Sequence, residues 1–144
     1  MGERIRVGII GYGNLGRGVE RAIGHDPAVR VIPLGDVQDH RHQVDVMILC
    51  GGSRDDLPVQ GPQLAAGFTT VDSFDTHARI PEYFASVDAV ARAAGQISVI
   101  STGWDPGLFS VNRLLGEAIL PQGATYTFWG KGLSQGHSDA LRHV

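Results

Sequence analysis

At 144 residues, with 42% hydrophobic side chains and a formal net charge of −3, the chain has the make-up of one compact domain with a sizeable core. It contains no run near the roughly 20 apolar residues that span a bilayer, and its single lysine among scattered arginines gives no basic face for nucleic acid. The one cysteine, Cys50, excludes an internal disulfide and fits a reducing, cytoplasmic setting.

Residues 5–16, IRVGIIGYGNLG, form a β-branched strand (5–10) that runs straight into Gly11, Gly13 and Gly16 and then into a helix at about 14–25. Because the apolar stretch carries the glycine turn within it, it reads as a folding strand and not as a signal peptide. Strand, tight turn and helix N-terminus is the order that seats a pyrophosphate on free backbone N–H groups. Gly11 permits the turn, Gly13 lets the backbone approach the phosphates, and Gly16 lets helix and strand pack closely. With Tyr12, Asn14 and Leu15, these residues make a candidate dinucleotide cradle. The bland alternative is an ordinary strand-to-helix turn, since glycine supplies 20 of the 144 residues.

A second strand is expected at Val29–Leu34, followed by the short polar stretch GDVQDHRHQ. Residues 44–52, VDVMILCGG, read as a fully buried third strand, and 57–67 as a helix broken near its proline-glycine start. A fourth strand is expected at 68–74. Residues 80–95 pattern as an amphipathic helix with Pro81 in its first turn and Gly95 as its cap. A fifth strand is expected at 96–103, then a helix over 105–120 with Asp105 as N-cap and Pro106 at its first position. TYTFWG (125–130) starts another strand. This alternation predicts an α/β fold, a doubly wound parallel sheet with helices on both faces.

Strands three, four and five end in CGGSRDD, VDSFDTH and STGWDPG. In such a sheet these carboxyl ends line the ligand crevice. Carboxylates, hydroxyls and a Trp meeting there suit a cationic or amine-bearing substrate. The six histidines have no companion cysteines, so no metal site is expected. Cys50 reads as a small core or cofactor-facing residue, not a nucleophile. The chain stops one turn after SQGHSDALRHV opens a helix, which is expected either of a truncated piece or of a domain completed by another polypeptide.

Through GYGNLG (11–16), VDSFDTH (71–77), STGWDPG (101–107) and FWGKGLSQGHSDALR (128–142), the chain resembles the meso-diaminopimelate dehydrogenases, along nearly its whole length. The resemblance covers only the amino-terminal part of that family. It implies a Rossmann-type dinucleotide-binding domain over residues 1–120 and, over 121–144, the first strand of a truncated α+β substrate and dimerisation domain. It further implies NADP-dependent, reversible oxidative deamination at the D-centre of meso-2,6-diaminopimelate, a step of lysine biosynthesis, giving L-2-amino-6-oxopimelate and ammonia. By motif, Asp75 and Asp105 would face the reacting amino group as catalytic residues, Trp104 would wall the substrate pocket, and Trp129, Gln135 and Gly136 would touch the substrate. Cys50, Gly51, Ser53 and Arg54 would join the cofactor side. Read alone, Asp105 is a helix cap, Asp75 a loop carboxylate and Trp104 a packing residue; His137 is weighed as an acid or base against a structural donor at a helix start.

The chain departs from the family after strand two, where a segment including groups that grip the 2′-phosphate of NADP is missing. Asp36 stands 20 residues after Gly16, where an acid hydrogen-bonds a ribose 2′-hydroxyl and favours NAD. Arg41 or Arg54 would instead meet a 2′-phosphate. The expectation is therefore NADP with NAD as the competitor, in the cofactor-binding subunit of a split enzyme, a hetero-oligomer active only with a partner chain. The alternatives are a non-catalytic structural subunit of such a complex and a reductase acting on another amino acid.

Overall fold

A computed structural model of the chain describes residues 4–26, 28–32 and 42–123. Asp36, Arg41, Trp129, Gln135, Gly136 and His137, and the strand expected at 125–130, lie outside the described residues.

Five strands, β1 (Ile5–Ile10), β2 (Val29–Ile32), β3 (Val46–Leu49), β4 (Thr70–Asp72) and β5 (Ser98–Val99), form one sheet in the order β2-β1-β3-β4-β5, all pairs parallel. The chain grows outward from β1 to β2, then crosses back to lay β3 on the other side of β1. That reversal opens a crevice beyond the carboxyl ends of β1 and β3. Among the described residues the connections are helices, α1 (Asn14–Ile23), α2 (Leu57–Ala65) and α3 (Ile80–Ala94), with α4 (Phe109–Ile119) after the last strand. The expected Rossmann-type α/β architecture is what folds.

The core lies on the β3–β4 side. Met47, Leu49, Leu57, Ala65 and Phe74 are fully buried, and Tyr83, Val87 and Ala91 close over them. Those last three recur every fourth residue, the spacing of one helical face, so α3 presents a continuous apolar stripe to the sheet. Each large side chain buried this way contributes about 1.5–3 kcal/mol. Pro81 sits in the first turn of α3, and Gly95 ends it at φ +66, its N–H donating to Ala91 and Arg92 carbonyls. The left-handed cap was legible in the sequence.

Three strands are shorter than expected. Beyond Leu49, Asp72 and Val99 the tips peel away from regular pairing into loops. Cys50 N–H still donates to Ile10 O (2.7 Å) and Thr102 N–H to Asp72 O (2.8 Å), so the tips stay tied to the sheet. The last helix is corrected more substantially. It begins at Phe109, not at residue 105, and Leu108 stands at its N-cap. Asp105 is extended (φ −148°, ψ 101°), and its carboxylate accepts from the Ser110 hydroxyl (2.9 Å) rather than from the first backbone N–H groups. The Asp-Pro pair that resembles a helix start belongs to a loop.

Candidate functional site

The cradle begins with backbone geometry. Gly11 has φ +87, a left-handed conformation that side chains rarely adopt, and a Cβ there would lie 2.7 Å from the Cys50 backbone. A Cβ on Gly16 would overlap the Gly11 carbonyl. These two glycines are needed to bring the turn, helix α1 and the β3 tip together. Gly13 differs: its φ is −80, and a Cβ there meets nothing within 4 Å. Its side is open space in front of the first turn of α1. That turn has no side-chain cap and no acidic residue, so its N–H groups and positive dipole end face the opening. The observation fits a bound pyrophosphate. Leu15 and Tyr12 are exposed beside it, and the Tyr12 hydroxyl donates to Glu20, a bond that raises the phenol pKa.

The β3 tip closes one side. Gly51 packs so tightly on the start of α2 that a Cβ would lie 2.8 Å from Asp56 Cβ. The Asp56 carboxylate accepts from Gly52 N–H at 2.7 Å. Cys50 is partly buried, and burial pushes its thiol pKa up, which keeps it protonated and a poor nucleophile. Arg54 is half exposed with its Nε 3.7 Å from Asp55. Ser53 is only 6% exposed. Its hydroxyl accepts from Asp75 N–H (3.0 Å) and donates to Ser73 O (3.4 Å). Ser53, expected on the cofactor side, uses its hydroxyl to tie the loop that carries Asp75.

The β4 and β5 tips close the other side. Asp75 is partly buried, and its Oδ1 is buried with no hydrogen-bond partner. No donor among the described residues takes up this oxygen's accepting capacity, which leaves a hydrogen-bond demand that a bound group would have to meet. His77 Nε2 stands 3.9 Å from Asp105 Oδ1, bringing the two tips next to each other. Trp104 is 63% exposed and stacks on Phe109 with ring centroids 5.5 Å apart; in this chain it is open to solvent, not a core residue. The His77–Asp105 approach thus joins the β4 tip, which carries Asp75, to the β5 tip, which carries Trp104 and Asp105. No group of three or more His, Cys, Asp or Glu residues suited to a metal occurs among the described residues, and no helix among them is long and apolar enough to cross a membrane.

Sequence reasoning missed the group beneath these loops. Asp72 is 2% exposed at the end of β4 and accepts from Phe74 N–H, Ser101 N–H and the Tyr83 hydroxyl. Burial and this bond raise the Tyr83 phenol pKa far above its ordinary value. A carboxylate inside a buried strand is the available signal, since acids are almost never fully buried without partners.

The fold and sequence are shared with known proteins. Residues 103–144 match the family described as "Diaminopimelic acid dehydrogenase C-terminal domain". The meso-diaminopimelate D-dehydrogenase of Ureibacillus thermosphaericus is 56% identical over 162 residues, covering 99% of this chain and 50% of the relative. A Corynebacterium glutamicum DAP dehydrogenase in complex with DAP superposes with a TM-score of 0.80 at 45% identity, over 98% of this chain and 49% of that one. An engineered D-amino acid dehydrogenase bound to NADP+ gives 0.80 at 44%, over the same 98% and 49%. The chain spans about half the length of the curated relatives it matches. The match to the Ureibacillus enzyme extends over 162 residues against 144 here, so that relative carries residues this chain lacks.

Proposed function

This chain is a homologue of the amino-terminal half of the meso-diaminopimelate D-dehydrogenases, and on that premise we propose that it is the cofactor-binding subunit of such an enzyme, completed by a second polypeptide. The reaction takes meso-2,6-diaminopimelate, NADP+ and water to L-2-amino-6-oxopimelate, ammonia, NADPH and a proton. A bound nicotinamide supplies the hydride acceptor. The chain's own residues seat the pyrophosphate at the open Gly13 turn and orient the amine. One observation carries the reading: the partner-free Asp75 carboxylate oxygen and Asp105 stand on strand tips that the His77–Asp105 approach brings together. Two acceptors hold the ammonium and fix the C–H that must point at the cofactor.

NADP is supported by the NADP+ bound to the engineered neighbour; Asp36, 20 residues after Gly16, keeps NAD as the competing coenzyme. Gln135, Gly136 and Trp129 are proposed as further substrate contacts, and the cytoplasm as the compartment. The domain division is proposed at residues 120/121, although the family match from residue 103 favours grouping α4 with the second part.

Packing of the relatives' other half onto this chain, which we propose comes from a second polypeptide, is supported by α4. None of its residues is buried, and Val111, Leu114, Leu115 and Ile119 line one face at helical spacing, each more than half exposed. Such a stripe marks an interface, and the occupant proposed is the half of the relatives that this chain does not span. A second reading, a structural subunit that no longer turns over substrate, draws on the residues missing relative to the Ureibacillus enzyme. Asp75→Asn in the complemented enzyme separates the two. The catalytic reading expects turnover to fall ~100-fold with cofactor affinity retained. Unchanged turnover contradicts the carboxylate role, and no turnover in the unsubstituted complex favours the structural subunit.

A further inference from the structure

Asp72 is a buried acid that the proposed chemistry does not use. Its Oδ1 accepts from Phe74 N–H (3.0 Å) and Ser101 N–H (3.0 Å), and its Oδ2 from the Tyr83 hydroxyl (2.6 Å). Its backbone carbonyl accepts from both N–H and hydroxyl of Thr102, each at 2.8 Å. These donors are all uncharged. Burying a carboxylate on neutral donors is costly unless each oxygen is well satisfied. A carboxylate is also the side chain that accepts from two loops at one oxygen and from a helix at the other.

Those loops carry the proposed reacting pair. Phe74 precedes Asp75, and Thr102 lies three residues before Asp105. Ser101, held by Asp72, has φ +57, a strained conformation for a residue other than glycine. Helix α2 also yields to the arrangement: a Cβ on Gly61 would overlap the Tyr83 hydroxyl. Phe74 and Tyr83 stack with centroids 4.1 Å apart, which fixes the phenol's direction.

We infer that Asp72, braced by Tyr83, is a positioning residue that sets Asp75 and Asp105 against each other and so governs turnover but not cofactor affinity. The inference rests on the proposed roles of Asp75 and Asp105. The cradle that would hold the pyrophosphate stands on β1 and α1, outside this hydrogen-bond group, and this separates the two readouts.

The test compares Asp72→Ala, Asp72→Asn, Tyr83→Phe and Asp75→Asn in the complemented enzyme. It measures kcat and KM for diaminopimelate and, separately, Kd for NADPH by fluorescence. Asp72→Ala is expected to lower kcat ~100-fold, because a shift near 1 Å at reacting groups costs that much, with Kd for NADPH within about threefold. Asp72→Asn is expected to recover most of the loss: its amide oxygen still accepts from Phe74 and Ser101, and its NH2 donates to the Tyr83 oxygen. Tyr83→Phe is expected to lose about tenfold in kcat, and it decides the matter alone if Asp72→Ala does not fold. Unchanged kcat in the folded variants overturns the positioning role, as does an equal loss of turnover and NADPH affinity. Unchanged turnover in Asp75→Asn overturns the carboxylate role on which the inference rests, whereas loss there with full turnover in Asp72→Ala and Tyr83→Phe overturns only the positioning role.

Discussion

The crevice side of the sheet and helix α4 are built on opposite principles. Around β3 and β4, Met47, Leu49, Phe74 and Leu57 are fully buried, and the loops above them are tied down by Ser53 and Asp72. Helix α4 has an apolar face too, yet none of its residues is buried. One region therefore supplies its own packing, and the other presents apolar surface for packing from elsewhere. Under the proposed function the difference divides the tasks: the Gly13 turn lies wholly among the described residues, while α4, which follows the Asp105 tip, leaves its apolar face uncovered among them.

Substitutions that touch one region and spare the other sharpen this contrast. The largest effect is expected at Gly13. A Cβ there meets nothing within 4 Å and needs no unusual backbone angle, so thermal stability should hold. The side chain fills the space before the α1 N-terminus and should weaken NADPH and NADH binding by ~100-fold or more. Unfolding of Gly13→Val, or binding that survives it, breaks the assignment of that space to phosphate.

Leu115→Glu addresses the other region. With an interface anchor typically worth about 2 kcal/mol, it should weaken association with the complementary half ~30-fold while leaving NADPH affinity untouched. Equal association by ultracentrifugation would remove α4 from the interface. Gly61→Ala, inside the packed side, should cost about 1–3 kcal/mol in denaturant unfolding as Tyr83 is pushed from Asp72.

The smallest effect lies at the far end of β1. Arg6 hydrogen-bonds Asp45 and lowers its pKa to about 2 from an ordinary 3.8. A carboxylate with a lowered folded-state pKa contributes stability above its ordinary value and loses it as pH falls through about 2. The stability gap between the parent chain and Asp45→Asn should therefore be small at pH 5 and vanish below pH 2. A gap that widens on acidification contradicts the pairing.

The cradle was legible because its requirements are local: a left-handed Gly11, a close-packed Gly16 and an apolar strand leave their mark in consecutive residues. Helix α3 was legible for the same reason, with Pro81 and Gly95 at its two ends. Asp75 and Asp105 were found as polar strand tips, but the form of the second tip was not. Asp-Pro after a strand satisfies the local rules for a helix start equally well, and only the Ser110 bond and the extended Asp105 backbone decide for the loop. Asp72 was missed because its partners, Ser101 and Tyr83, lie 29 and 11 residues away, beyond any spacing rule. Gly61 reads as a flaw in a helix until the Tyr83 hydroxyl is seen against it.

The most direct measurement is a fluorescence titration of the purified chain with NADPH and NADH, alone and with the complementary half of a matching relative. The account predicts that the chain binds one of the two by itself and reduces NADP+ or NAD+ with diaminopimelate only after the complement is added. Failure to bind either coenzyme even in the complex would contradict it, and so would full turnover by the chain alone.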